Sequence, residues 1–267
     1  PCNQEPLGTN TDGELVTSKV EYASIVRMLM YLSSNSHPDI QYAVHQCAHF
    51  THFPKKSHED AIIRICHYLQ GTKDKGMRFM PEKSLKLDCY MDADFAGLYG
   101  VEDKQDPVCV KSCTRYVLTL GTCPLIWVSK LQTEVALSMT EAEYIALSQS
   151  MQDLLPMCQI LQEAGSALKL DFTKPTIVHS TIFEDNNGAL SLATAPKISP
   201  HTKHIAIKYH HFCNSVSELK GILIEKIDTH VQKVDIFTKG LSVDKHKSIW
   251  QLLMGWRSVV KFFEIFC

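Results

Sequence analysis

Apolar and polar residues alternate with a period of two over residues 85–91. Leu85, Leu87, Cys89 and Met91 fall on one face, while Asp88, Tyr90 and Asp92 share the other. This pattern predicts a half-buried strand that ends at Asp92, with Asp94 beyond its end and a turn at Gly97. Residues 115–120 and 125–129, joined through Gly121 and Pro124, predict an antiparallel hairpin carrying Tyr116 and Trp127. The short run Met77 to Met80 has the same strand-like character. Residues 177–183 form another strand-like run that closes on two acids, Glu184 and Asp185, and 221–227 form a further one.

Elsewhere the period is that of a helix. Val20, Ala23, Ile25, Met28, Leu29 and Leu32 follow it until Pro38 interrupts, and Ile40, Ala43, Val44 and Cys47 resume it. Ser57 with Asp60 three residues on predicts the start of a helix that carries Ile62, Ile65 and Leu69 to a stop at Gly71. Residues 1–75 are thus expected to be a small helical segment. Ser138 and Glu141 have the spacing of a capping box, which gives Glu141 a structural task and leaves Glu143 on a face with Met139, Ala146 and Ser150. Asn186 and Asn187 are placed to cap a helix over 188–194, and Pro196 stops it. Helices are also expected over 205–219 and 231–239, the second carrying Asp235, and in a tail over 241–267. Strands and helices in this order make residues 76–240 an α/β domain with a mixed sheet.

Composition narrows the class. The 267 residues carry a formal net charge of −2, which argues against a generally basic nucleic-acid binder. The charge is uneven, however: between Lys197 and His211 stand Lys203, His204 and Lys208 and no acid, so one surface is suited to phosphates. The apolar runs are too short to span a bilayer, and the first residues lack a basic block followed by an apolar one, so neither membrane insertion nor secretion is expected. The 10 cysteines lack a disulfide-like spacing and suit a reducing cytosolic or nuclear setting. His45, Cys47, His49 and His52, and separately Cys109 and Cys113, approach the spacing of zinc ligands without a completing pair.

Four carboxylates then stand at element ends or on a sheet-facing helix: Asp92, Glu143, Asp185 and Asp235. Hard oxygen donors of this kind suit Mg²⁺. Around them stand, in order, Tyr90-Met-Asp-Ala-Asp-Phe-Ala-Gly97, the helix motif from Val135 to Leu147, Phe183-Glu-Asp-Asn-Asn-Gly-Ala189, the basic stretch His201 to His210 and Val234-Asp-Ile-Phe-Thr-Lys239. These motifs and their order resemble those of copia-type retrotransposon Pol polyproteins. Upstream, Met30 to Ser33, His37 to Ile40, Tyr42 to Val44 and Tyr68 to Thr72 are similar to the segment between polymerase and ribonuclease H.

The resemblance implies a ribonuclease H-like mixed five-stranded sheet flanked by helices, preceded by a helical piece of the reverse transcriptase thumb or connection. It implies an endonuclease that cleaves the RNA strand of RNA/DNA hybrids with two Mg²⁺ ions, replaceable by Mn²⁺, held by Asp92, Glu143, Asp185 and Asp235. From the residues themselves, Lys203, His204 and Lys208 could meet phosphates, and His230, near Asp235 in an expected loop, is read as a surface histidine, with assistance to product release or proton transfer as the alternative. The implied partners are the hybrid and the rest of the polyprotein, in a cytoplasmic virus-like particle or the nucleus. The polymerase's Tyr-x-Asp-Asp signature is absent from the chain. Leu98, Cys113, Arg115, Pro156 and Ala206 depart from the family pattern, and Pro156 is expected to end or kink its helix. A non-catalytic fragment that binds hybrid or polymerase is the rival expectation.

Overall fold

The computed structural model describes residues 1–8, 10, 12–15, 21–78, 86–97, 99, 109–168, 179–194, 216 and 221–255. Its helices are α1 (Tyr22–Asn35), α2 (Gln41–Ala48), α3 (Lys56–Gly71), α4 (Met139–Ala167), α5 (Asn187–Thr194), α6 (Asp235–Thr238) and α7 (Val243–Leu253). The strands are β1 (Lys86–Asp94), β2 (Cys113–Leu120), β3 (Cys123–Leu131), β4 (His179–Glu184) and β5 (Ile222–Lys226). They form one mixed sheet in the order β3-β2-β1-β4-β5.

The topology follows from the connections. Gly121, at φ +60°, turns β2 back into β3 over a tight connection, so those two strands are antiparallel. Strand β1 is antiparallel to β2 but parallel to β4, which the chain reaches only after the long helix α4. Strand β5 extends the parallel half.

Period-two alternation divides the core. Leu87, Cys89 and Met91 are fully buried on one face, with Tyr116, Leu118 and Ile182, beneath Tyr144, Leu147, Met151 and Leu154 of α4. Each large apolar side chain so buried contributes about 1.5–3 kcal/mol. The opposite face carries Tyr90 and Val117, covered by Val234, Ile236 and Phe237 around α6 and by Ile249, Trp250 and Leu253 of α7. Helices α1 to α3 enclose their own cluster around Val26, Leu29, Val44, Ile62 and Ile65. Trp127 Nε1 of β3 donates to the Ser33 carbonyl at 2.8 Å and ties that cluster to the sheet.

Several boundaries differ from the sequence pattern. Strand β1 runs on through Asp94, which pairs with Cys113, so Asp94 belongs to the strand. Helix α3 begins at Lys56, with Lys55 as its cap and His58 Nδ1 accepting from the Lys55 amide at 3.0 Å; Ser57 lies inside the first turn. Helix α4 continues through Pro156. The proline removes one backbone donor, but Leu154 and Cys158 on either side are buried in the main core and hold the axis to the sheet. The expected helix over 231–239 is a 3-10 turn, Thr229–Val231, and then the four-residue α6. Met77 and Arg78 are not in a strand, and Arg78 donates its amide to the Met254 carbonyl at 3.0 Å; Phe79 and Met80 lie outside the described residues.

Candidate metal centre

The parallel pairing of β1 with β4 brings the C-terminal ends of both strands to the same end of the sheet. Asp92 stands near the end of β1, opposite Arg115 of β2, and Asp185 follows β4 directly. Glu143 comes from the second turn of α4. That helix is started by Ser138, whose Oγ accepts from the Glu141 amide at 3.1 Å, while Glu141 Oε2 accepts from the Leu137 amide at 2.8 Å. Glu141 is thereby occupied, and Glu143 points inward at 3% exposure. Helix α5 is capped by Asn186, whose Oδ1 accepts from Gly188 and Ala189 at 2.8 and 3.1 Å. A side chain at Gly188 would lie 2.6 Å from Thr140 Oγ1, so glycine permits the first turns of α4 and α5 to meet beside the site.

Asp92, Glu143 and Asp185 each offer an oxygen within 4.8 Å of the others. Burial raises the Asp92 carboxyl to about 6, the Asp185 charge adding to it while Arg115 opposes it. Burial also raises Glu143, helped by the charges of Glu184, Asp92 and Asp185 and partly offset by a hydrogen bond from the Ala93 backbone. Thr229 Oγ1 donates to Asp185 Oδ2 at 3.1 Å and orients it. Glu143 Oε2 is buried without a hydrogen-bond partner. An acceptor in that state, among converging carboxylates, is an arrangement that a hard cation would relieve. The donor set is all oxygen, which fits Mg²⁺ or Mn²⁺.

Asp235 lies outside this trio. It opens α6 at 1% exposure, with Oδ1 2.8 Å from Lys239 Nζ and Oδ2 2.6 Å from Lys245 Nζ. It is nevertheless near enough to Asp92 to help raise that carboxyl. Asp94 Oδ2 accepts from Arg115 Nη2 at 3.3 Å. His230 is exposed, and its amide donates to Asp228 Oδ1 at 2.8 Å. Lys203, His204 and Lys208 lie outside the described residues, as do Leu98 and Ala206. His45 Nδ1 is 3.3 Å from Ser129 Oγ, in contact with the sheet.

One acid was not singled out by sequence. Glu184 is fully buried, its Oε1 accepts from the Asn186 amide at 2.9 Å, and its Oε2 has no hydrogen-bond partner. Burial raises its carboxyl, with the charges of Asp185 and Asp92 adding to the shift. The signal was present in the alternation: Glu184 has the parity of Ser180 and Ile182, both buried.

No protein-family model matches the chain. It is 37% identical over 242 residues to the retrovirus-related Pol polyprotein from transposon RE1 of Arabidopsis thaliana, covering 91% of this chain and 15% of that one. It is 32% identical over 236 residues to the corresponding polyprotein from transposon TNT 1-94 of Nicotiana tabacum, covering 88% of this chain and 16% of that one. The chain therefore spans only a small part of the length of these relatives. Among solved structures, LC11-RNase H1 in complex with RNA/DNA hybrid matches 56% of this chain and 91% of that chain, at 14% identity and a TM-score of 0.36. A superposition that loose adds nothing to the topology already described. Motif order, strand order and the two polyprotein matches agree: the chain belongs to the copia-type retrotransposon Pol polyproteins, and the part of them that it spans contains a ribonuclease H-like domain.

Proposed function

We propose that this domain is a divalent-metal-dependent endonuclease that hydrolyses the RNA strand of RNA/DNA hybrids during reverse transcription of the element. The observation that carries the reading is the meeting of Asp92, Glu143 and Asp185 within 4.8 Å, from two strand ends and a buried helix face. Asp92 is fixed by strand pairing, Glu143 by the capped start of α4 and Asp185 by Thr229, so the three oxygens are held ready before any substrate arrives. Mg²⁺ bound there, or Mn²⁺ in its place, would neutralise the developing charge on the phosphodiester and lower the barrier to attack by water. Asp235 is the fourth acid that the family resemblance assigns to the centre, and its use requires release from its two lysines.

The hybrid would be distinguished from duplex DNA by contacts to the 2′-hydroxyls of the RNA strand. Lys203, His204 and Lys208 would add salt-dependent phosphate contacts. The remainder of the polyprotein is the partner this reading expects, in a particle or a nucleus. The test is cleavage of a hybrid with labelled RNA by purified protein in Mg²⁺, beside Asp92→Asn and a metal-chelated control. Release of RNA fragments by the wild type alone supports the reading. Hybrid binding without metal-dependent cleavage would replace it with a purely binding role.

A further inference from the structure

We infer that the cavity between α2 and the ends of β1, β2 and β3 is a binding site for a terminal phosphate group, gripped by Arg115 and Lys111. The ligand class is a phosphomonoester, carried either by a free nucleotide or by the end of a nucleic-acid strand. The site borders the carboxylate trio and does not depend on it.

The cavity measures about 200 Å³. Its walls include His45 of α2, Asp94 at the end of β1, Lys111 just before β2, Arg115 within β2, Lys239 just after α6, and Gln4. Arg115 supplies the deciding observation. It is 7% exposed, and its Nε and Nη1 have no hydrogen-bond partner. Nη2 is 3.3 Å from Asp94 Oδ2, and Asp94 lies on the same wall, which brings the guanidinium head to the cavity together with its stem. A guanidinium is a planar fork of donors, and one long contact to a single carboxylate oxygen leaves most of that fork unanswered. Burial in this state is unfavourable, and an oxyanion received by the fork relieves it. The Asp94 side chain is 28% exposed, so it can turn toward water and release Nη2 to an incoming oxygen.

The charge of the walls selects the ligand. Lys111, Arg115 and Lys239 stand against Asp94, with Lys239 Nζ also 2.8 Å from Asp235 Oδ1. His45 adds no charge at neutral pH, because burial and the neighbouring Arg115 bring it down to about 4. A phosphomonoester carries about −1.5 to −2 at that pH, enough to answer Arg115 and Lys111 together and to compete with Asp94. A phosphodiester carries a single charge and brings a nucleotide on each side, more than a space walled by α2 and the sheet end holds. Arg115 is also a position at which the chain departs from its family's pattern, so the site belongs to this chain.

The test is isothermal titration of the full chain, without added metal, with tetrathymidylate bearing a 5′-phosphate and with its 5′-hydroxyl counterpart. Thymidine 5′-monophosphate is titrated in parallel, and inorganic phosphate serves as competitor. Wild type is expected to bind the phosphorylated oligonucleotide at least about tenfold more tightly than the hydroxyl form, and inorganic phosphate to reduce that preference. Arg115→Met should abolish the preference, Arg115→Lys should keep part of it, and Lys111→Met should cut it about threefold. Thermal melting reports whether each variant is folded, and Lys111→Met, which lies outside the strands, decides if Arg115→Met is not. Equal binding of the monophosphate and the phosphorylated oligonucleotide supports the site for free nucleotides; tighter binding of the oligonucleotide supports it for strand ends. Equal affinity of the wild type for the two oligonucleotides, or a preference that folded Arg115→Met or Lys111→Met leaves unchanged, would overturn the inference. No hybrid is cleaved in this measurement, so a failure of the proposed nuclease activity leaves its result standing.

Discussion

Asp92 and Asp235 are both acids near the same end of the sheet, yet their surroundings differ in kind. Asp92 faces other carboxylates and is raised to about 6, whereas Asp235 is deeply buried with an ammonium on each oxygen. Burial alone does not mark a metal ligand. What separates the two residues is whether their charge is already answered by the protein. The trio, whose mutual repulsion Arg115 and Lys239 offset only in part, is costly to fold and useful for holding a cation; the paired acid anchors α6 to α7.

The largest effect should separate these acids in catalysis. Asp92→Asn is expected to lower hybrid cleavage by about 10³-fold or more, some 4 kcal/mol of transition-state stabilisation, and Asp235→Asn by only about tenfold. Equal losses in single-turnover assays would erase the distinction. Next comes stabilisation by metal. At a hundredfold excess over its dissociation constant, Mg²⁺ should add about 2.7 kcal/mol, or roughly 5–10 °C in Tm, and Asp92→Asn should abolish the increment. Differential scanning calorimetry with and without chelator reads both.

A smaller effect concerns pH in the absence of metal. The folded Asp92 carboxyl, at about 6, lies above its unfolded value of about 3.9. The folded state thus binds more protons between those values, and stability falls as pH rises from about 4 to about 6 and then levels for this residue. Asp92→Asn should flatten that fall and make the metal-free protein more stable at pH 7 by up to about 3 kcal/mol. Denaturant titration across that window checks the sign. The smallest effect is expected at the support of Asp185: Thr229→Val removes one hydrogen bond and should weaken Mg²⁺ binding a few-fold, within about 1 kcal/mol.

The comparison also explains what the sequence could and could not convey. Alternation along β1 placed Leu87, Cys89 and Met91 under a helix and Asp92 on the other face, because strand geometry is local. The Ser138 cap assigned Glu141 a backbone task and left Glu143 on a face with Ala146 and Ser150, from spacing alone; its deep burial follows from the packing of α4 on the sheet, which spacing does not convey. Four acids were legible as candidates, and three of them meet. The lysines on Asp235 were not legible. Lys239 is a local neighbour, but Lys245 arrives from a separate helix, and only the packing of α7 over the sheet brings it there. Glu184 was hidden for a related reason: adjacent to Asp185, it was read with the strand end, although its parity matches the buried residues of β4. At Pro156 the local signal for a helix end yields to burial of its neighbours in the main core, and α4 runs on to Ala167.

The most direct measurement of the central claim is a crystal structure grown in Mn²⁺, with the ion located by its anomalous scattering. The account predicts a peak about 2.0–2.3 Å from oxygens of Asp92, Glu143 and Asp185, with Asp235 still held by Lys239 and Lys245. Carboxylates that stand apart, or a peak on Asp235 and none on the trio, would contradict it.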